Sequence, residues 1–161
     1  MSSRDQAVAM LDVLDKSEGR RRKIIAAGKN RFGVLAQGDD VKDSKVFKDI
    51  KINFNLVQVV DIQMTTTFGM AITKEGTIYG WGKNDNNILG LDDKFNSKVI
   101  GTPSPIEAFS DYIVKKISCG KIHSLIYAKK TKNNKELETS CLFSLGTPEK
   151  QDGSFFGISK D

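Results

Sequence analysis

One histidine, one tryptophan, two cysteines and three prolines are all that 161 residues hold of those types, and each shortage excludes something. His123 as the sole imidazole rules out a histidine pair or a metal site with several imidazoles, and makes a Ser-His-Asp arrangement hard to assemble. Cys119 and Cys141 each sit in an apolar, strand-like run, which suits reduced, buried thiols in a reducing compartment better than a disulfide framework. No stretch approaches the roughly 18 apolar residues of a membrane span, and Asp12 and Asp15 argue against an acid-poor transit peptide. Catalytic residues, cofactors and metals are therefore not expected. The expected setting is cytoplasmic or nuclear, with a cytoskeletal or ciliary site as a further option. Arginine is scarce as well: lysines outnumber arginines about four to one, and the net charge of +5 is spread among interleaved acids. A nucleic-acid binder concentrates cations and aromatics on one face, so nucleic acid is not expected as a direct ligand.

Glycine and phenylalanine are plentiful, at fourteen and nine residues, a balance that favours short strands and tight turns over long helices. Internal repetition decides the architecture before any local reading does. Ile25-Ala26-Ala27-Gly28-Lys29-Asn30 returns as Tyr79-Gly80-Trp81-Gly82-Lys83-Asn84, an offset of 54 positions (82 − 28). Leu35 falls on Leu89 and Asp39 on Asp93 at the same offset. Upstream, Val59 through Ile72 aligns with Val114 through Tyr127 at an offset of 55 (114 − 59), pairing Ile62 with Ile117 and Met70 with Leu125. A third copy opens at Cys141-Leu142-Phe143-Ser144-Leu145-Gly146. Its extra residues fall in the polar stretch Lys129 to Thr139, read as a long, charged hairpin loop replacing the tight turn Lys74-Glu75-Gly76. Glycine tolerates positive φ, so each glycine-asparagine segment can bend sharply out of a strand, and four short strands per copy make a blade.

The N-terminus differs in kind. Ala7, Met10, Leu11 and Leu14 recur at helical spacing and Ser3 with Gln6 forms a capping-box pattern, which predicts a helix from about Arg4 to Asp15 ended by Gly19. Arg20, Arg21, Arg22 and Lys23 then read as a solvated linker, with a nuclear-import signal or phosphate-contacting arm as the alternative. The expected division is 1–22 as helix and basic linker, and 23–161 as repeats.

These residues resemble the regulator of chromosome condensation repeat: a front half ending in His-Ser, a dipeptide turn, an aromatic-Gly-x-Asn segment and a Gly-Gln-Leu-Gly signature. Gly120, His123 and Ser124 carry the clearest front half, in which Thr65 and Phe68 stand in the other copy. Gly28, Asn30, Gly33 and Leu35 carry one back half, and Trp81, Gly82, Asn84, Leu89 and Gly90 the better one. Gly76 marks the dipeptide turn and Gly146 opens the third back half. Thr102-Pro103-Ser104-Pro105 looks like the proline-bearing loop before the next front half. The match breaks down after Gly146.

The resemblance implies an all-β fold, a partial β-propeller of two to three four-stranded blades behind the short N-terminal α-helix. It also implies structural roles: His123 as a hydrogen-bonder between blades and Trp81 as a packing aromatic. Gly28-Lys29-Asn30 and Gly82-Lys83-Asn84 are turns, since a P-loop needs more glycines and a hydroxyl after the lysine. The expected function is a non-catalytic scaffold docking on other protein subunits. Its expected contacts are Met10, Leu11 and Leu14 of the helix, Arg20, Arg21 and Arg22, and Lys129, Lys130 and Lys132 of the charged loop. The alternatives are a guanine-nucleotide exchange factor with a Ran-like small GTPase as partner, and the propeller portion of a larger protein such as a ubiquitin ligase or ciliary regulator.

Overall fold

Gly28, Gly82 and Gly146 have φ angles of 117°, 102° and 134°, a region that a side chain with a Cβ rarely enters. Each closes the inner part of an antiparallel ladder at the same rung: Gly28 pairs with Gln6, Gly82 with Phe68 and Gly146 with His123. These corners fix the alignment of three sheets. The computed structural model describes residues 6–15, 19–38, 43–50, 58–85, 88–91, 98–132 and 135–146.

The first sheet holds β1 (Gln6–Asp15), β2 (Gly19–Gly28) and β3 (Ser44–Asp49) in that order. The second holds β4 (Val59–Met64), β5 (Phe68–Thr73), β6 (Ile78–Lys83) and β7 (Val99–Pro105). In the third, β9 (His123–Lys132) runs between β8 (Tyr112–Cys119) and β10 (Lys135–Gly146). Only the second sheet is a full four-stranded blade among the described residues. In the first no described strand corresponds to β4, and in the third none corresponds to β7. The equivalence extends to irregularities, since β4 bulges between Val59 and Asp61, and β8 at the matching place between Val114 and Lys116. The turn into each second strand also repeats, with the Thr65 N–H donating to the Phe68 carbonyl and Gly120 to His123, both at 2.8 Å.

Two apolar seams hold the sheets face to face. Ile24, Ala26, Leu35 and Ala36 of the first blade meet Val59, Ala71 and Trp81 of the second. Phe68, Met70, Ile72, Ile78 and Leu89 of the second meet Val114, Ile117 and Ile126 of the third. Each such side chain contributes roughly 1.5–3 kcal/mol on burial, so the seams are the main glue of the arc.

Four expectations are corrected. The N-terminal segment is a strand: β1 pairs with β2 from Gln6↔Gly28 to Asp15↔Gly19. Its apolar residues satisfy a helical spacing, but a short apolar run does not separate helix from strand. Pairing with β2 satisfies one side of the β1 backbone while turning Val8 onto the first seam. The run Arg20-Arg21-Arg22-Lys23 lies inside β2 and is no linker. Thr102-Pro103-Ser104-Pro105 belongs to β7, a sheet edge where proline's missing N–H is tolerated. The charged stretch after Lys129 is not mainly loop, because β9 continues to Lys132 and β10 starts at Lys135 with a bulge between Glu136 and Ser140.

Candidate interaction surface

The repeat signature builds the seams. Asn30 and Asn84 act alike: the Asn30 side-chain oxygen accepts the Leu35 N–H at 2.8 Å, and that of Asn84 accepts the Leu89 N–H at 3.2 Å. Each bond folds the chain after the glycine corner so that the leucine drops into a seam. Gly90 and its equivalent Ala36 both have positive φ, 63° and 52°. Gly33, also left-handed at 68°, lies so close to β7 that a Cβ there would stand 2.8 Å from the Gly101 Cα. Trp81 is fully buried and its indole N–H donates to the Val34 carbonyl at 2.8 Å, tying the second blade to the turn of the first.

Gly69 and Gln63, which sequence reasoning passed over, and Ser124 and Arg22, whose part here it did not foresee, complete these seams. Gly69 pairs with Trp81 and leaves room for its ring, since a Cβ would lie 2.4 Å from an indole carbon. The corresponding pair in the third blade is Ser124 opposite Leu145, the same small-against-large complement. The Gln63 side chain bridges first strands, donating to the Ile117 carbonyl and accepting the Cys119 N–H, both at 3.1 Å. Arg22 donates to the Val59 carbonyl at 3.0 Å while Asp12 holds its guanidinium at 2.9 Å and keeps its pKa raised. Gly76 is its counterpart in the second blade, where the backbone carbonyl accepts the Val114 N–H at 2.9 Å. The alignment of Arg22 with Gly76 was the signal, although the bonds run in opposite directions: the Arg22 side chain donates where the Gly76 carbonyl accepts.

One end of the blades carries the candidate surface. In the second blade β5 and β6 end in the tight turn Thr73 to Thr77, with Gly76 at φ 87° and its N–H on the Thr73 carbonyl. In the first blade the equivalent ladder runs on from Leu11↔Lys23 to Asp15↔Gly19, and in the third to Lys132↔Lys135. Two prolonged hairpins therefore flank a short one. Met10 and Leu11 are exposed on the first, while Lys23 pairs with Asp49 at 3.4 Å. On the other, Glu136 pairs with Lys115 and with Lys129 at 3.7 Å, and its hydrogen bond to Lys115 holds its pKa below the usual carboxylate value. Lys130 is exposed. Of Leu14, Arg20, Arg21 and Lys132 only the backbone is described.

Chemistry beyond contact has little material. Cys119 is a free thiol whose pKa is pushed up to about 12, first by burial and then by Asp61, so it is a poor nucleophile. His123 is exposed with its ring against Gly120. Among the described residues no group of three His, Cys, Asp or Glu is placed to hold a metal ion, and no helix is long and apolar enough to cross a membrane. Asp39, Asp93 and the stretch 147–161 lie outside the described residues.

Residues 75–127 match the model of the regulator of chromosome condensation (RCC1) repeat. That span runs from the tight turn of the second blade, through its glycine corner, to the second strand of the third. This stretch is a regulator of chromosome condensation repeat. Over 87 residues it is 34% identical to BTB/POZ domain-containing protein 1 of Schizosaccharomyces pombe, covering 49% of this chain and 6% of that protein. Over 82 residues it is 32% identical to the mitochondrial RCC1 domain-containing protein RUG3 of Arabidopsis thaliana, covering 51% and 18%. The chain thus spans less than a fifth of either relative. The crystal structure of Kap60 bound to yeast RCC1 (Prp20) superposes with a TM-score of 0.59 at 16% identity, covering 77% of this chain and 31% of that one. At that identity the likeness concerns the RCC1 propeller fold alone.

Proposed function

We propose that this RCC1-repeat chain is a non-catalytic protein-protein interaction scaffold, engaging partner subunits of a larger assembly through the two prolonged hairpins. The observation that carries this reading is their placement. The β1–β2 and β9–β10 hairpins extend the same end of the first and third blades, and the second blade keeps a tight turn between them. Variation laid on a repeated frame is where binding is usually placed, and seam packing does not call for it. Nucleotide exchange on a Ran-like GTPase rests on fold resemblance alone, which does not carry a function.

Replacing residues 128–141 by a copy of residues 73–77 converts the third hairpin to the second blade's turn and tests the proposal. Cross-linking with mass spectrometry in native extract should find protein partners on the wild-type hairpins. The shortened variant should lose those at the third hairpin while its thermal unfolding stays close to wild type. Recovery of the same partners by the shortened variant, or of none by the wild type, contradicts the proposal.

A further inference from the structure

Two side chains of the first blade stand outside both seams. Val46 and Phe47 of β3 are 61% and 53% exposed, the highest values among the large apolar residues described, and neither joins an apolar cluster. The ladder register places them. β3 meets β2 at Ala26↔Lys48 and Gly28↔Ser44, so four steps along β3 span two along β2 and the surplus bulges. The Ser44 hydroxyl holds the bulge by donating to the Val46 carbonyl at 2.7 Å. β7 repeats it, with Gly80↔Ser104 and Gly82↔Ile100. At an offset of 56 (104 − 48), β7 carries Thr102 and Pro103 where β3 has Val46 and Phe47. The second blade thus blunts its free edge with a polar residue and a proline. The first blade puts an apolar pair there.

We infer that this bulge docks a partner protein offering an apolar pocket rimmed by carboxylates, with Phe47 as the anchor. The inference goes beyond the hairpin contacts, since it concerns the outer edge of the blade. Charge selects the occupant. Lys45 and Lys48 flank the apolar pair, both exposed and without an ion pair among the described residues. The acids of the same edge are engaged: Asp43 accepts the Asn30 N–H at 2.9 Å, and Asp49 pairs with Lys23 at 3.4 Å. A second copy of this chain fits poorly, because a two-fold contact through this edge sets the lysines of one chain against those of the other. Strand addition fits poorly as well. The bulge breaks the regular spacing that an added strand needs, and the Val46 carbonyl already has its donor. Recognition therefore falls to side chains, an aromatic filling a pocket and two ammonium groups meeting its acidic rim.

Random peptides displayed on phage and selected on the full chain test this. The recovered sequences should join an aromatic or aliphatic residue to Asp or Glu, and the same peptides, synthesised and labelled, should bind less tightly as salt is raised. Val46→Thr with Phe47→Ser gives the edge the polarity of the second blade and should weaken that binding by about tenfold or more, the loss expected of an anchor. Lys45→Glu with Lys48→Glu should also weaken it, and should turn a fresh selection toward Lys- and Arg-bearing sequences. Neither double variant touches a seam, so thermal unfolding close to wild type should accompany both. Three results would overturn the inference: acidic peptides bound equally by wild type and both variants, a selection that recovers none, or sedimentation in which the wild type dimerises and the Val46→Thr, Phe47→Ser variant does not, which would make a second copy the occupant. The chain with the shortened third hairpin should bind these peptides like wild type, so the scaffold reading stands or falls separately.

Discussion

Asn30, Asn84, Trp81 and Cys119 show how single side chains divide between order and inertness. The two asparagines satisfy backbone donors that would otherwise be stranded beside a seam, where a lost hydrogen bond costs about 1–3 kcal/mol. Trp81 adds a buried aromatic whose one donor is satisfied. Cys119 illustrates the reverse, a reactive group made unreactive. Its thiol is favoured over its thiolate in the folded chain, so its pKa rises from 9.0 to about 12. The sign follows: this contribution to stability is complete below pH 9.0 and is lost as the pH climbs toward about 12, where the unfolded chain already holds a thiolate. Alkylation followed by mass spectrometry across that range should show Cys119 modified slowly until the most alkaline samples. Rapid labelling at the pH of an ordinary thiol would remove the case for an inert residue.

At the scale of the element, what was legible depended on whether a pattern was repeated or met once. The glycine corners, the asparagine-leucine spacing and the tight turn at Gly76 each recur, and one copy explains the other. β1 offered only its own apolar spacing. Ala7, Met10, Leu11 and Leu14 read as a helical stripe because nothing in ten residues reveals that β2 will lie beside them. The basic run of β2 and the lysines of β9 were misjudged for the same reason, since long hairpins are held by cross-strand pairing that composition does not record. Gln63 drew no notice and Arg22 was read for another role, because bonding backbone atoms of the next blade belongs to the seam and not to their own segment. Arg22→Met keeps the stem and removes the donor to Val59. Hydrogen exchange should then speed up in β1 and β2 while β9 and β10 keep their protection. An unchanged pattern in the first blade would show that this tie is dispensable.

The whole molecule is an arc of repeats, and nearest-neighbour seams account for its cohesion. Its ends differ: small side chains and no described first strand at the first blade, a patch of Leu125, Tyr127 and Leu142 at the third. The RCC1 repeat was readable from the glycine periodicity, but the inequality of the two ends emerged only when equivalent positions could be compared for burial. Everything depends on Gly28, Gly82 and Gly146 being one corner used three times. Two of them share the same steric surroundings. A Cβ on Gly82 would lie 2.5 Å from the Thr67 carbonyl oxygen and 2.6 Å from the Phe68 Cα, and one on Gly146 would lie 2.4 Å from the Ile122 oxygen and 2.7 Å from the His123 Cα. Thermal and denaturant unfolding of the single variants Gly28→Ala, Gly82→Ala and Gly146→Ala measures the equivalence directly. The repeat account predicts that each loses about 2 kcal/mol or more, whereas a variant at position 28 or 146 as stable as wild type beside a damaged Gly82→Ala would contradict it.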